Sequence, residues 1–385
     1  MIPYGRQEVT EADIQAVTDV LRSPRLTQGP AVERFEKAVA DYCGARHGIA
    51  VSSATAGLHL ACLALRLGPG DRLWTVPTTY VATANCALYC GADIDFVDIH
   101  PRTLNMDPVA LEQKLEQAAA RGMLPRIVIP VHLSGHPCDM ETIRGLSHRF
   151  GFRVIEDASH AMGSRGQAGI IGGCHHSDMT VFSFHPVKVV TSGEGGVITT
   201  NRDDLAESLR RLRNQGITRD PRHMNGAGEG PWFYQQIGLG YNYRLSDIHA
   251  ALGASQMARV ETYVRRRNEL ARRYDADLDG LPVMPQARPP LGRSSFHLYV
   301  IRVNPRESPR SRDDAFKEML ESGIGVQVHF IPVHTQPVYR RLGFNWGDFP
   351  QAEAYYREAM TLPLFPAMTD EEQQHTVHTL RHSLG

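Results

Sequence analysis

From about residue 31 to residue 200 the chain alternates helix-period and strand-like segments, and this alternation constrains its fold more than any other feature. AVERFEKAVADYC, TAGLHLACLALRLG, YVATANCALYCG, DPVALEQKLEQAAARG and CDMETIRGLSHRFG carry apolar residues at helical spacing. Between and after them lie HGIAVSS, DRLWTVP, DIDFVDI, RIVIPVH, FRVIEDA, MTVFSF and GGVITT, which are short and apolar on both faces. Strands that bury both faces need helices on each side. The pattern therefore predicts an α/β fold with a mostly parallel central sheet and helices on both faces. Such sheets bind ligands beyond the carboxyl ends of their strands.

Beyond Asn201 the texture changes. LAESLRRLRNQG reads as a basic helix, DPRHMNGAGEGPWF as a long loop, and LSDIHAALGASQMARVETYVRRRNELARRYDADL as one long helical region. After the proline-rich LPVMPQARPPLGRSS come HLYVIRV, a helix in RDDAFKEMLESG, and GVQVHFIPVH. They predict a smaller C-terminal α+β domain. The expected division is a large domain over 1–258 and a small one over 259–385, since 385 residues exceed one small core.

A formal net charge of −1 offers no electrostatic pull toward nucleic acid or a membrane surface. The opening MIPYGRQEVTEADIQ lacks an apolar targeting core, and no run of about 18 uncharged apolar residues occurs. A cytoplasmic protein is expected. The six cysteines form no CxxC and sit in apolar surroundings, as reduced core residues do. His175-His176 has no second ligand cluster, so no metal site is expected.

Four strand exits carry residues unsuited to a pure core. VSSATAGLH (51–59) puts hydroxyl and small residues at a helix start, an anion-binding arrangement, although taken alone a simple N-cap by Ser52 or Ser53 is the favoured reading. PTTYVATAN (77–85) places Tyr80 at a strand-to-helix turn, as an interior ring or as a platform for a flat ligand. VIEDASHAMG (154–163) ends in two acids that point to opposite sides, so one faces a pocket while the other caps. An N-cap role for Asp157 is the plain alternative.

The fourth exit is SFHPVKVVTSGEGG (183–196). Of 41 basic side chains only four are lysine, at positions 37, 114, 188 and 317. Three of these lie in charged helical stretches, where a cation on a wet face is ordinary. Lys188 lies in an apolar run beside a glycine-rich turn, in a chain that supplies its surface cations as arginine. Desolvation shifts such an amine toward neutrality and makes it a Schiff-base-forming nucleophile. Pyridoxal 5′-phosphate (PLP) uses all four features together: a phosphate for the helix start, a flat ring for the aromatic, a pyridine nitrogen for the acid and an aldehyde for the lysine.

The ordered motifs SATAGLH, TTYVATAN, EDASHA, FSFHPVK…GEGG, GYNYRLSDIHAALG and GVQVHFIPVH resemble the DegT/DnrJ/EryC1/StrS family over essentially the whole chain. The resemblance implies a PLP-dependent transferase of fold type I that aminates nucleotide-linked keto-sugars. It makes Lys188 the cofactor-bearing lysine and Asp157 the partner of the pyridine nitrogen. Tyr80 stacks on the ring, where many relatives carry phenylalanine or tryptophan. Thr55, Ala56 and Ser183 hold phosphate, and His160 lies near the ring hydroxyl. Asn242 reaches the phosphate from a partner subunit, which implies a homodimer, and Arg244 and His329 contact the nucleotide-sugar or the donor carboxylate. TQGP, GITRDP, GPWFYQQ and VHFIPVHTQPVYRRLGF look most like members acting on a UDP-linked 4-keto-6-deoxy-N-acetylhexosamine, with L-glutamate as donor and pyridoxamine phosphate as the intermediate cofactor form.

Other chemistries fit less well. Sugar dehydratases among the relatives replace the lysine with histidine, although His185 sits close enough in sequence to act as a second proton carrier. A dinucleotide-dependent oxidoreductase needs GxGxxG after the first strand, where residues 51–57 read VSSATAG. A DNA-binding regulator lacks both net positive charge and a helix-turn-helix signal.

Overall fold

The computed structural model describes residues 1–226, 228–288 and 292–385. All seven expected strands form, as β1 (His47–Val51), β2 (Arg72–Thr75), β3 (Asp93–Phe96), β4 (Ile127–Val128), β5 (Arg153–Asp157), β6 (Met179–Ser183) and β7 (Gly196–Thr200). They make one sheet in the order β1-β7-β6-β5-β4-β2-β3. Only β7 runs antiparallel to its neighbours, so the sheet is mostly parallel. β4 is short because Pro130 has no amide to continue the ladder, and pairing resumes beyond it at Val131 and Asp157.

The helices of this part are α1 (Glu11–Leu21), α2 (Pro30–Cys43), α3 (Ala54–Ala64), α4 (Ala82–Tyr89), α5 (Pro108–Ala120), α6 (Met140–Phe150), α7 (Asp203–Leu212), α8 (Asp247–Met257) and α9 (Val260–Asp277). Their starts follow side-chain chemistry. Asp107 accepts from Val109 N–H ahead of Pro108, and Asp139 accepts from Thr142 N–H. The start of α2 has no capping side chain of its own; Asp247, far along the chain, accepts from the N–H groups of Gly29 and Ala31 at 2.7 and 2.9 Å. Successive strand residues enter different cores. Ile49, Val51, Val181 and Ile198 pack with α3, whereas Ala50, Phe182 and Val197 pack with Phe35 and Ala250 of α2 and α8. A side chain at Gly57 would put its Cβ 2.9 Å from Val181, so glycine lets α3 lie close on the sheet.

The long helical region after Leu245 is two helices rather than one. Arg259 leaves helical geometry between α8 and α9, and its guanidinium reaches the buried Asp13 at 2.6 Å. Burial pushes the Asp13 carboxyl up, but Arg259, Ser255 and the Thr10 amide outweigh it and hold it below the usual range. A distant ion pair thus decides a break that helical periodicity does not contain.

A hairpin of β8 (Ile217–Thr218) and β9 (Gln235–Gln236) projects before α8. Beyond α9, an antiparallel sheet of β10 (Val283–Pro285), β11 (Tyr299–Val303) and β12 (Ala359–Leu362) has the order β10-β11-β12. It is accompanied by α10 (Arg312–Glu321), α11 (Pro337–Arg340), α12 (Pro350–Glu358) and α13 (Asp370–Leu384). α9 contributes to two cores. Val260 and Val264 belong to the core under α2 and α8, while Leu270 and Tyr274 join Ile301, Met319 and Leu380. The first residues also fold onto the C-terminal unit, with Ile2 exchanging backbone hydrogen bonds with Gly323 and Gly325. The six cysteines are free, five of them buried. Among the described residues no helix is long and apolar enough to cross a membrane.

Candidate active site

Glu156 and Asp157 end β5 pointing opposite ways, and their surroundings differ completely. Glu156 accepts from His132 Nε2 at 2.8 Å, Ser177 Oγ at 2.5 Å and Thr180 Oγ1 at 2.9 Å. Burial pushes its carboxyl up, but these donors outweigh burial and leave it below the usual range. The backbone N–H of Cys138 donates to His132 Nδ1, so Nε2 carries the proton that Glu156 receives. This acid is fully committed to the structure.

Asp157 is also buried. Its Oδ2 accepts from Thr83 Oγ1 at 2.7 Å, and Thr83 in turn lies 2.8 Å from Thr79 Oγ1. Its Oδ1 accepts the Ser159 N–H at 3.0 Å in a local turn; no helix begins there, so the N-cap alternative does not hold. The carboxylate charge opposes the fall of the Lys188 amine, although the two side chains form no ion pair.

Lys188 is half-buried in an excursion from the end of β6. Phe184 closes that loop: its N–H donates to Gly195 O, and its carbonyl accepts from Ser192 N–H and Thr191 Oγ1. Val189 and Val190 anchor the loop in the core, and Lys188 N–H donates to His185 O. Gly193 uses a φ of +80°, while a Cβ at Gly196 would fall 2.7 Å from Ser53 and Ala54 at the start of α3. Loss of bulk water pushes the amine down to about 8, against the opposing pull of Asp157.

Lysine usage differs in one respect from the sequence expectation. Lys37 and Lys317 are exposed and each pairs with an acid one turn on. Lys114 is not on a wet face: it bonds Phe96 O and Asp95 and lies over the rings of Trp74 and Phe349. Its helical charge pattern did not contain that tertiary packing. Among the described residues Lys188 alone of the four makes no ion pair.

The start of α3 stands beside this loop. Ser53, not Ser52, is the cap, accepting from Ala56 N–H at 3.1 Å. Ser52 N–H instead donates to Tyr243 O. The Ala56 amide is thereby occupied, and the outward-facing amides of the first turn are those of Ala54 and Thr55. Ser183 ends β6 directly opposite Gly196 and so lies within a strand's width of that helix start. Tyr80 is 61% exposed, its ring 6.3 Å from that of Phe330. This donor set fits PLP: helix-start amides for a phosphate, an accessible ring, a buried acid and a desolvated amine.

His160 and His329 are buried near Lys188. Burial first, then the lysine charge, drives both imidazoles down, His329 to about 3. His329 Nδ1 lies 2.8 Å from Thr361 Oγ1. Asn242 is exposed, its backbone paired with Asn214, and Arg244 is turned toward Asn214 Oδ1 at 2.7 Å. His185 has an exposed side chain. Lys188, Asp157, His160 and His329 thus lie near one another, while Arg244 and Asn242 are engaged with Asn214. Four contributors escaped the sequence reading. Thr79 and Thr83 share a face by their spacing of four, a signal that was present; Phe330 and His297 carried none.

A separate cavity of about 360 Å³ lies on the Glu156 side, lined by His136, Cys138, Glu156, Cys174 and His175 among others, and does not include Lys188 or Asp157. Among the described residues no three His, Cys, Asp or Glu side chains are grouped to hold a metal.

A model of the DegT/DnrJ/EryC1/StrS aminotransferase family matches residues 7–381. The spore coat polysaccharide biosynthesis protein SpsC of Bacillus subtilis (strain 168) is 37% identical over 384 residues, 99% of this chain and 96% of that protein. PseC of Helicobacter pylori, an aminotransferase involved in the biosynthesis of pseudoaminic acid, superposes with a TM-score of 0.90 at 28% identity, covering 100% of this chain and 99% of its own. Spr1654 of Streptococcus pneumoniae, solved in a PLP form, gives 0.88 at 29% identity over 99% and 98%. With the lysine, the acid and the helix start assembled at the carboxyl edge of a mostly parallel sheet, the chain belongs to the DegT/DnrJ/EryC1/StrS family and is an aminotransferase of its PLP-dependent kind.

Proposed function

We propose that the protein moves an amino group from L-glutamate to the C4 ketone of a UDP-linked 4-keto-6-deoxy-N-acetylhexosamine, as a UDP-4-amino-4,6-dideoxy-N-acetyl-β-L-altrosamine transaminase. The observation that carries the reaction type is the half-buried Lys188, without an ion pair among the described residues, on the loop that closes against the start of α3. The sugar class rests on the full-length likeness to SpsC and PseC.

Bound here, PLP supplies an aldehyde for Lys188 and a ring that accepts the electron pair left when the donor Cα–H bond breaks. Asp157, held by Thr83, would be the partner of the ring nitrogen. Lys188, close to neutrality, takes the proton from the glutamate Cα and in the second half delivers one to sugar C4, help worth about 10²–10⁴ in rate. Thr55, Ala56 and Ser183 receive the phosphate, with Ala56 sharing its amide with Ser53. Tyr80 covers one ring face, and neutral His160 lies near the ring hydroxyl.

Arg244 and His329 serve the nucleotide-sugar or the donor carboxylate. Arg244 exchanges its Asn214 contact to do so. A second copy of the chain completes the site by supplying its Asn242. The exposed apolar side chains Trp232, Tyr234, Ile237 and Leu239 around β9 support such a dimer, because an apolar arm of this size is stable when covered.

The test is incubation of PLP-loaded protein with L-glutamate and a panel of nucleotide-linked 4-keto sugars. Formation of 2-oxoglutarate with amination of the UDP-linked 4-keto-6-deoxy-N-acetylhexosamine is expected. Amination of a different keto-sugar alone overturns the substrate, and dehydration without amination overturns the reaction.

A further inference from the structure

His297 is a buried side chain to which the reaction above gives no part. It comes from the C-terminal unit, two residues ahead of β11. Its ring centroid lies 4.5 Å from that of His160, tilted by 49°. Phe330 stacks on His160 at 5.9 Å and 25°. His160 is therefore bounded by two rings, and its Nδ1 accepts the backbone N–H of Ser134 at 3.2 Å. An amide N–H can only donate, so Nδ1 holds a lone pair and neutral His160 carries its proton on Nε2.

The segment bearing His297 is held unusually firmly. Arg267 is fully buried and faces no carboxylate: it donates to the carbonyls of Phe296 and His297, each at 3.2 Å, and of Leu364 at 2.9 Å. Ser295 Oγ donates to the His160 carbonyl at 2.9 Å, and Ser295 N–H donates to Ser164 Oγ at 3.0 Å. The backbone at 295–297 is thus tied on one side to α9 and on the other to His160 itself. The imidazole of His297 has no such support, because its Nδ1 is buried without a partner. Its place is instead fixed by the backbone on either side and by its face against the ring of His160. Burial, followed by the charge of Lys188, keeps this ring neutral, so it adds no second cation next to the amine.

We infer that His297 is a positioning residue: anchored through its backbone by Arg267, its imidazole fixes the ring of His160 and with it the Nε2–H donor offered to the bound cofactor. This rests on the reading of His160 as a neighbour of the cofactor ring. The C-terminal unit thereby takes part in the site through its packing on a histidine of the sheet.

The test is nitrogen NMR of histidine-labelled holoenzyme, with PLP affinity and steady-state rates measured alongside. Wild-type protein should show His160 as a single Nε2–H tautomer from pH 5.5 to 8.5, roughly the window in which an unconstrained histidine changes state. His297→Ala should make His160 titrate or exchange tautomers, weaken PLP binding about 10-fold and lower kcat about 10- to 100-fold, with the sugar KM within about twofold. His297→Phe, which restores a ring, should recover the His160 signal. Should His297→Ala not fold, His297→Leu fills the space without a ring and should move the same resonances. A His160 signal and a PLP affinity unchanged in the alanine or leucine variant would overturn the inference. Wild-type protein that binds no PLP would instead sink the functional reading.

Discussion

The two ends of the central sheet treat charge in opposite ways. At the amino ends of the parallel strands, Arg126 meets Asp71 at 3.6 Å, Arg153 meets Asp178 at 3.5 Å, and Arg202, leaving β7, meets Asp178 at 3.1 Å. These guanidinium groups are solvated and each has an acid. At the carboxyl ends Lys188 stands half-buried with no ion pair, and His160, His297 and His329 are buried and neutral around it. Each arginine is partly solvated, and the buried Asp178 is shared by two of them and also accepts the Val154 N–H, so loss of one arginine costs little at this end. A desolvated amine beside an acid sets which atoms can hold a proton, so the other end does not tolerate such a loss.

The sharpest way to break this contrast is Lys188→Ala or Lys188→Arg. Each should lower turnover by at least about 10²–10⁴ and abolish the Schiff-base absorbance band of PLP-loaded protein, which depends on the Lys188 amine. Arginine fails equally because its guanidinium does not deprotonate. Appreciable steady-state transamination by either variant would refute the role of Lys188, and borohydride reduction of the wild type should place the cofactor's mass on a peptide containing it.

Asp157→Asn keeps the shape that Thr83 and Ser159 bind but removes the charge. A loss of about 100-fold in kcat is expected, of the size seen when one preorganised electrostatic group is lost. Because Asp157 pulls the Lys188 amine up toward its ordinary value, the variant should also ionise that amine lower than about 8. Acylation of Lys188 against pH in cofactor-free protein measures this; a midpoint that moves upward would contradict the geometry.

Acid stability gives a smaller effect. Burial holds His136 and His329 at about 3, far below the ordinary value near 6.5. Between those values the unfolded chain binds more protons than the native one. Stability is therefore fully present above about pH 6.5 and is lost as pH falls toward about 3, by about 1.4 kcal/mol per pH unit for each such histidine. Urea unfolding at pH 7.5, 5.5 and 4.5 should show the decline, and His136→Phe, if folded, should flatten it. Smallest of all is Arg202→Ala at the amino end, expected to cost no more than about 1 kcal/mol and to leave kcat unchanged. A tenfold fall in kcat there would erase the distinction between the two ends.

The positions of all seven main strands could be read from apolar runs between helical periods, because a strand buried on both faces has few other ways to be written. Caps such as Asp107 and the Ser53 alternative were legible for the same local reason. Lys188 stood out by scarcity in an arginine-rich chain. The break at Arg259 was not legible, since it depends on Asp13 nearly 250 residues away. Neither was Lys114, whose charged helix looked solvent-facing until Trp74 and Phe349 covered it. Glu156 and Asp157 illustrate the limit well: alternation separated them, but only packing of His132, Ser177 and Thr180 made one acid structural and left the other near the amine.

By itself the sequence determined the layered α/β architecture and singled out Lys188 and Asp157 as the candidate amine and acid, because periodicity, capping and residue scarcity act over a few neighbours. The tertiary structure decided what stands around that amine: the Thr83 bond to Asp157, the buried neutral histidines, the Arg267 anchor of the His297 segment and the turn of Arg244 toward Asn214. Proton affinity depends on desolvation and on charges within a few ångströms, and both are fixed only when distant segments pack together.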